Sequence, residues 1–340
     1  MSTLPDFDPG RLSAYLRAEL PDLKGVMQTQ RIGGGQSNPT YFVTFDQGPE
    51  LVLRKQPAGE LLKSAHAIDR EYRIQRALKA TDVPVPDALL FCDQRDVVGT
   101  PFYVMERLRG RVMSNYALTD IAPADRRRYL FELAETLARL HAVDWTEAGL
   151  SDYGKPGNFF SRQISRWTGQ WEASKSDENE DINRLIEWLP AHIPEGDETT
   201  IAHGDFRLGN VMFHPTEPRI IAVLDWELST LGHPLADAAY SSLPWLTGPD
   251  VFEGLRGLDL PDLCIPSQRE YLHAYLVASG RASIIEPFHH VFSLFRFAVI
   301  LQGIAARARA GNAAGENAQA VGQLTTRFAH YAAEIMAANG

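Results

Sequence analysis

Hydrophobic and polar positions follow different patterns in the two parts of the chain. Up to about residue 106, short apolar runs rich in aromatic and β-branched residues are separated by turn signals, as in 40–45, 51–54 and 101–106. This pattern is typical of β-strands. Further along, apolar positions recur at helical spacing, as in 124–141. The chain is therefore predicted to be an α+β protein with segregated strands and helices, not a βαβ alternation.

Helices are expected in both parts. Asp8 and Pro9 form a cap and first turn for a helix that extends to Leu20. The remaining predicted helices, besides 124–141, are 64–80, 237–243, 269–279, 287–309 and 316–336. A boundary is placed after Glu106, where a strand gives way to a charged, glycine-containing segment. The chain of 340 residues is thus divided into an N-terminal lobe, 1–106, and a C-terminal lobe, 107–340.

Composition narrows the class of protein. The net charge of −10 disfavours nucleic acid as a partner, because binding a phosphate backbone needs clustered cations. The most apolar helix, 291–306, is interrupted by Arg296 and Gln302, which favours a core helix over a membrane span. The N-terminus has no cleavable hydrophobic segment, so we expect a cytoplasmic protein without a membrane partner. The sequence does not indicate an oligomeric state.

The segment 203–210 carries the strongest chemical signal. Asp205 and Asn210 lie five residues apart, and Asp225 follows at the end of an apolar strand. Kinase sites share this Asp-to-Asn interval, with a carboxylate that orients and deprotonates the attacking hydroxyl and oxygen ligands for Mg²⁺. Asp205 is the predicted catalytic base, and Asn210 and Asp225 are the predicted metal ligands. The alternative is that Asp205 and Asn210 are ordinary turn residues beside glycines.

A glycine cluster lies between two predicted strands near residue 34. Glycine lets backbone N–H groups approach phosphate oxygen atoms that a Cβ would hold away. Gly34, Gly35 and Ser37 are therefore candidate nucleotide-binding residues. A purely structural hairpin turn is the alternative.

A cation follows in the third predicted strand. Arg54 ends this strand, where kinases place a basic residue that grips the nucleotide phosphates. Lys55 is expected on the opposite face, because side chains alternate along a strand. Glu71 falls among the apolar positions of the following helix, and pairing with Arg54 would offset the cost of its burial. Otherwise Glu71 would be one of several solvated acids.

These motifs, taken in order, resemble those of the aminoglycoside phosphotransferase/choline kinase superfamily of small-molecule kinases. The match is strongest to the subgroup fused in some proteins to an acyl-CoA dehydrogenase domain. In that subgroup the catalytic segment has the sequence pattern H-G-D-F-R-x-x-N, and the metal-binding segment has the pattern L-D-W-E-x-S-x-x-G-x-P-x-x-D. Both occur here, at 203–210 and 224–237. The resemblance extends from about residue 26 to residue 240 and fades in the C-terminal helices.

The resemblance implies a protein-kinase-like two-lobed fold, ATP and Mg²⁺ as cofactors, and a small-molecule acceptor that becomes O-phosphorylated. It implies that Glu106 and Leu108 present hinge backbone groups to adenine and that Asp237 supports the catalytic loop. Arg207, two residues after the predicted base, is a candidate ligand for a substrate carboxylate or phosphate, and a surface ion pair is the alternative. Glu227 is a second candidate substrate contact.

Fusion of relatives to acyl-CoA dehydrogenases suggests a hydroxy acid or hydroxyacyl-CoA as acceptor. An aminoglycoside is the alternative acceptor, for which the acid-rich segment 172–180, polar enough to be a mobile loop, could supply the negative charge. A nucleotide-binding regulator without catalysis is a second alternative, disfavoured by the intact Asp205, Asn210 and Asp225. A protein kinase is disfavoured because no Ala-Pro-Glu signature follows Asp225.

Overall fold

The computed structural model describes residues 5–33, 38–58, 67–309 and 318–339. The chain divides into two units. Unit 1 comprises residues 1–110 and 221–227, and unit 2 comprises residues 111–220 and 228–340. Because residues 221–227 belong to unit 1, Asp225 is in the same unit as the first third of the chain. The boundary after Glu106 stays a prediction.

Unit 1 is built on an antiparallel sheet. In chain order its elements are α1 (Pro9–Glu19), β1 (Lys24–Arg31), β2 (Thr40–Gln47), β3 (Leu51–Lys55), α2 (Ile68–Leu78), β4 (Ala88–Cys92), α3 (Arg95–Val98) and β5 (Phe102–Glu106). The five strands are ordered β1-β2-β3-β5-β4. β3 is therefore the central strand, and it carries Arg54.

Helix α1 begins as the sequence predicts. The Asp8 side chain accepts a hydrogen bond from the Gly10 N–H at 2.7 Å, and Pro9 occupies the first turn. Leu12 and Leu16 are buried against the sheet in one hydrophobic core. Helix α2, predicted to begin at Ser64, begins at Ile68, with Ala67 as its N-cap, and residues 59–66 lie outside the described residues.

The two cations of β3 occupy opposite faces. Lys55 is 1% exposed, and its Nζ lies 3.0 Å from the Asp6 carboxylate in the N-terminal segment. Arg54, the preceding residue, points to Glu71 of α2. The predicted strand register is therefore confirmed, since a slip of one residue would exchange the two cations.

Unit 2 is mainly helical. Its elements, with β8 continuing into unit 1, are α4 (Pro123–His141), α5 (Phe159–Ser174), α6 (Glu180–Ala191), β6 (Thr200–Ala202), β7 (Val211–Phe213), β8 (Ile220–Val223), β9 (Thr230–Gly232), α7 (Pro234–Ser241), α8 (Gln268–Ser279), α9 (Pro287–Arg309) and α10 (Ala318–Asn339). The predicted α+β segregation is confirmed. Helices α5 and α6 were not predicted, and the segment 172–180, interpreted as a loop, begins inside the last turn of α5.

Helix α9 is long and apolar enough to cross a membrane by composition alone, but 61% of its apolar window is buried inside the protein. Phe292, Phe295 and Ala298 lie in the aromatic core of unit 2 together with residues of α5 and α10. This burial is what the sequence predicts for a core helix.

Candidate active site

The segment 203–210 connects β6 to β7 and is held by Asp237 of α7. The buried Asp237 carboxylate accepts hydrogen bonds from the backbone N–H groups of His203, at 2.5 Å, and Gly204, at 3.0 Å. Gly204 has a φ of +81°, and a Cβ there would lie 2.6 Å from the carbonyl oxygen of Leu228. Only glycine fits this backbone without strain. Asp237 is thus placed to support the segment.

Asp237 is kept ionised by its surroundings. Burial alone would raise the pKa of its carboxyl group, but hydrogen bonds from His141 and from the backbone lower the pKa below its ordinary value. The His141 Nε2 lies 3.5 Å from Asp237 Oδ2, and its Nδ1 lies 2.7 Å from the Tyr275 hydroxyl. Burial lowers the pKa of His141 itself, so its ring is neutral near pH 7 and Nε2–H can donate to Asp237. The carboxylate can therefore accept both backbone N–H groups.

The Asp205 carboxylate receives three donors. Asn210 Nδ2 donates to Oδ2 at 2.7 Å, the Tyr240 hydroxyl donates to Oδ1, and Arg207 Nε lies 3.4 Å away. Asn210 also donates to the backbone carbonyl of Asp205 at 2.9 Å. A carboxylate offers about four lone-pair sites, so the three donors fix its orientation while leaving it able to accept a hydroxyl hydrogen. This is the geometry that a positioned base requires.

The two predicted metal ligands, Asn210 and Asp225, belong to different units. In unit 2, Asn210 turns its amide nitrogen to Asp205, so its amide oxygen is the atom it can offer to a cation. In unit 1, Asp225 is 36% exposed and has a φ of +63°, which is uncommon for a residue other than glycine. Within the described parts of the chain, no group of three or more His, Cys, Asp or Glu side chains forms a metal cluster. Single oxygen ligands fit Mg²⁺, which usually takes one or two carboxylates together with substrate phosphates and water.

The predicted Arg54–Glu71 ion pair is present in unit 1. Arg54 Nε lies 2.9 Å from Glu71 Oε2, and its NH2 nitrogen lies 3.1 Å from Asp225 Oδ1. Glu71 also accepts hydrogen bonds from Asn38, at 2.5 Å, and Tyr103, at 3.2 Å. Burial raises the pKa of Glu71, and the Arg54 guanidinium and the Asn38 amide oppose that increase. Arg54 thus links the buried carboxylate to the predicted metal ligand of its own unit.

The structure describes the remaining predicted nucleotide and substrate contacts only in part. Three of them lie outside the described residues: Gly34, Gly35 and Ser37. The Glu106 N–H donates to the Asp87 carbonyl at 2.9 Å, so it cannot also bind adenine without breaking this bond. Leu108 is half-buried, and Glu227 is exposed in a short 3-10 turn. The proposed substrate contact of Glu227 stays a prediction.

A cavity of about 260 Å³ lies in unit 2 beside the catalytic segment. Its walls are largely aromatic and aliphatic: Tyr116, Leu243, Pro244, Phe252, Phe297 and Phe328. Arg207 and Tyr240 also line the cavity, and both contact Asp205. Glu253 and Arg207 are the charged residues among the described lining. The cavity therefore offers an apolar surface, one cation and one carboxylate next to the predicted base.

Two acids of the acid-rich segment 172–180 form ion pairs within the segment. Glu172 and Glu178 lie 2.8 Å and 2.7 Å from the Lys175 Nζ, in exposed ion pairs. Among the described residues that line the cavity, none belongs to this segment. The segment therefore does not provide the cavity with the negative charge that a polycationic acceptor would need.

Sequence reasoning missed Tyr240 and the aromatic walls of the cavity. A signal for Tyr240 was available, because it lies three residues after Asp237 and so on the same face of α7. Phe252, Phe297 and Phe328 come from segments far apart in sequence, and their spacing carries no such signal.

Comparison with known proteins agrees with the geometry. The sequence model of the family described as "Phosphotransferase enzyme family" matches residues 28–283. Over 97% of its length the chain is 42% identical to mouse acyl-CoA dehydrogenase family member 10, and over 92% it is 41% identical to the Arabidopsis thaliana protein named probable acyl-CoA dehydrogenase IBR3. The chain spans 31% and 40% of the length of these two relatives.

Solved structures give the same result. A crystal structure from Ralstonia eutropha, named a candidate aminoglycoside phosphotransferase, is 41% identical, with a TM-score of 0.89 over 98% of this chain and 99% of that one. Aminoglycoside phosphotransferase APH(4)-Ia, solved with ADP and hygromycin B, shares the fold at 14% identity, with a TM-score of 0.63 over 95% of this chain and 97% of that one. The family resemblance found in the sequence is confirmed: the chain belongs to the phosphotransferase enzyme family and has its protein-kinase-like fold.

Proposed function

We propose that the protein transfers the γ-phosphate of ATP to a hydroxyl group of a small molecule that has an apolar segment, and that it requires Mg²⁺. The observation that carries this proposal is the Asp205 carboxylate, oriented by Asn210 and by Tyr240, a residue that lines the apolar cavity. A hydroxyl group that enters the cavity would meet a carboxylate fixed to accept its proton. Positioning of this kind is the main protein contribution in phosphoryl transfer.

Each cofactor has candidate residues. Arg54, held by Glu71, is proposed to bind the nucleotide phosphates, and Asn210 and Asp225 are each proposed as an oxygen ligand. Bound Mg²⁺ would neutralise phosphate charge. Asp205 would orient the acceptor hydroxyl and take its proton late in the transfer, as the new oxygen–phosphorus bond forms and ADP leaves. Nucleotide-bound structures of distant relatives, such as the ADP complex of APH(4)-Ia, support nucleotide as the donor.

The cavity favours one class of acceptor. Its walls suit a hydrocarbon segment, and Arg207, which lines it, suits a carboxylate or phosphate group. A hydroxy acid or a hydroxyacyl-CoA has both features, and the similarity to proteins named as acyl-CoA dehydrogenases points the same way. An aminoglycoside has neither an apolar segment nor a negative charge, and among the lining residues that the structure describes only Glu253 carries a carboxylate.

The test is a screen of Mg²⁺-dependent ATP consumption with hydroxy acids, hydroxyacyl-CoA species, amino alcohols and aminoglycosides, followed by detection of the phosphorylated product. Asp205→Asn serves as the inactive control. We expect turnover with a hydroxy acid or hydroxyacyl-CoA. Phosphorylation of kanamycin or hygromycin B without any reaction of the hydroxy acids would overturn the proposed acceptor class. Failure to bind ATP would overturn the proposed activity.

A further inference from the structure

Tyr240 contacts the predicted base directly, although it lies outside the catalytic segment. It lies on α7, one helical turn after Asp237, and is 6% exposed. Its hydroxyl donates a hydrogen bond to Asp205 Oδ1. Asn210 binds the other carboxylate oxygen, Oδ2, at 2.7 Å. The two donors therefore hold the carboxylate from both sides.

The direction of the Tyr240 hydrogen bond follows from chemistry. An ionised carboxylate can only accept, so the phenol must donate. Burial, followed by the nearby Asp205 charge, raises the pKa of Tyr240 well above its ordinary value, which keeps the phenolic proton in place at all working pH values. Because the acceptor is charged, this hydrogen bond belongs to the stronger class.

The ring of Tyr240 is itself fixed. Phe297 packs edge-on against it, with 5.8 Å between ring centroids, and the Arg296 guanidinium lies 5.6 Å from its centroid. Arg296 also donates to the Gly204 carbonyl at 2.6 Å, so the same cation contacts both the ring and the catalytic segment. One side of the ring lines the cavity. Tyr240 thus joins the cavity wall to the base through one rigid side chain.

We propose that Tyr240 is a positioning residue for phosphoryl transfer: it fixes the Asp205 carboxylate in the orientation that receives the acceptor hydroxyl. This inference rests on the proposed function. Tyr240 moves no proton and binds no metal in this role. Its loss should therefore slow the transfer step while leaving the nucleotide site in unit 1 intact.

A test independent of activity uses tyrosine labelled with ¹³C at Cζ and NMR. Tyr240→Phe identifies the Tyr240 resonance by its disappearance, and Tyr271→Phe identifies a control. Tyr271 is also buried in unit 2, and its hydroxyl contacts Ser241 rather than Asp205. We expect Asp205→Asn to move the Tyr240 resonance and to leave the Tyr271 resonance in place. An unmoved Tyr240 resonance would overturn the inference.

The kinetic test is a double-mutant cycle with Mg²⁺, ATP and β-hydroxyoctanoate. Tyr240→Phe should lower kcat by about tenfold to a hundredfold, as expected for a hydrogen bond to a charged group, with the KM for ATP unchanged. In an Asp205→Asn background the same substitution should have little further effect, because the bond it removes no longer orients a base. Tyr271→Phe should match the wild type. Equal losses in both backgrounds would show a merely structural role and would overturn the inference. If the wild-type protein phosphorylates neither a hydroxy acid nor a hydroxyacyl-CoA, the proposed acceptor class fails, and the NMR measurement still shows whether Tyr240 donates a hydrogen bond to Asp205.

Discussion

Arg54→Ala tests the buried charge network of unit 1. The Arg54 side chain is 16% exposed and the Glu71 side chain 1%, so removal of the guanidinium leaves a buried carboxylate without its ion-pair partner. Breaking such a pair typically costs about 3–5 kcal/mol. Asn38 and Tyr103 would still donate to Glu71, which places the expected loss at the lower end, about 3 kcal/mol at neutral pH.

The loss should depend on pH. Burial already raises the pKa of Glu71 above its ordinary 4.5, and loss of Arg54 raises it further. When the pKa of an acid is higher in the folded state than in the unfolded state, protonation of that acid stabilises the folded state. This contribution to the unfolding free energy is complete below the unfolded-state pKa and is lost as pH rises through the folded-state pKa. The difference in unfolding free energy between wild type and Arg54→Ala should therefore be small near the ordinary pKa of Glu71 and grow toward neutral pH.

The assay is urea unfolding followed by circular dichroism, at neutral pH and at roughly pH 5. Arg54→Lys, which keeps the charge, is one control. Arg109→Ala is the second, because the Arg109 side chain is 70% exposed and its ion pair with Glu50 should contribute nothing measurable. An Arg54→Ala variant as stable as Arg109→Ala, or a loss that does not change with pH, would refute the reasoning.

Three further outcomes are expected. Asp225→Ala should abolish Mg²⁺-dependent ATP turnover in a protein that circular dichroism shows to be folded; unchanged turnover would contradict its role as a metal ligand. Asp205→Asn should lower kcat by about 10²–10⁴-fold with little change in calorimetric ATP affinity, and a drop below about tenfold would mean that Asp205 is not the base. Gly204→Ala should destabilise the protein by about 1–3 kcal/mol in urea unfolding, because it forces a Cβ onto a left-handed backbone against the Leu228 carbonyl; wild-type stability would show that the segment can relax.

Local patterns in the sequence predicted several features of unit 1. Period-2 alternation along β3 assigns Arg54 and Lys55 to opposite faces, and the structure pairs them with Glu71 and Asp6. The cap at Asp8 gave the start of α1. These features depend on a few neighbouring residues, so a single sequence contains them.

The cavity could not be predicted in this way. Its walls combine Tyr116, Phe252 and Phe328, which are separated by many residues and are brought together only by the packing of helices in unit 2. The composition of the segment 172–180 likewise did not show that two of its acids, Glu172 and Glu178, pair with the Lys175 beside them. Charge composition does not reveal which charges are already neutralised.

Helix α7 carries two residues that hold the predicted catalytic segment, whereas most of the cavity wall comes from other parts of unit 2. Asp237 holds the backbone of the catalytic segment, and Tyr240 holds the predicted base, one helical turn apart. Apart from Tyr240, the aromatic walls of the cavity come from other segments, as with Phe252 and with Phe328 of α10. If the cavity holds the acceptor, as proposed, a lineage that replaces these aromatic residues would change the molecules it accepts while Asp237 and Tyr240 stay the same, so acceptor range and catalytic competence would be free to evolve independently.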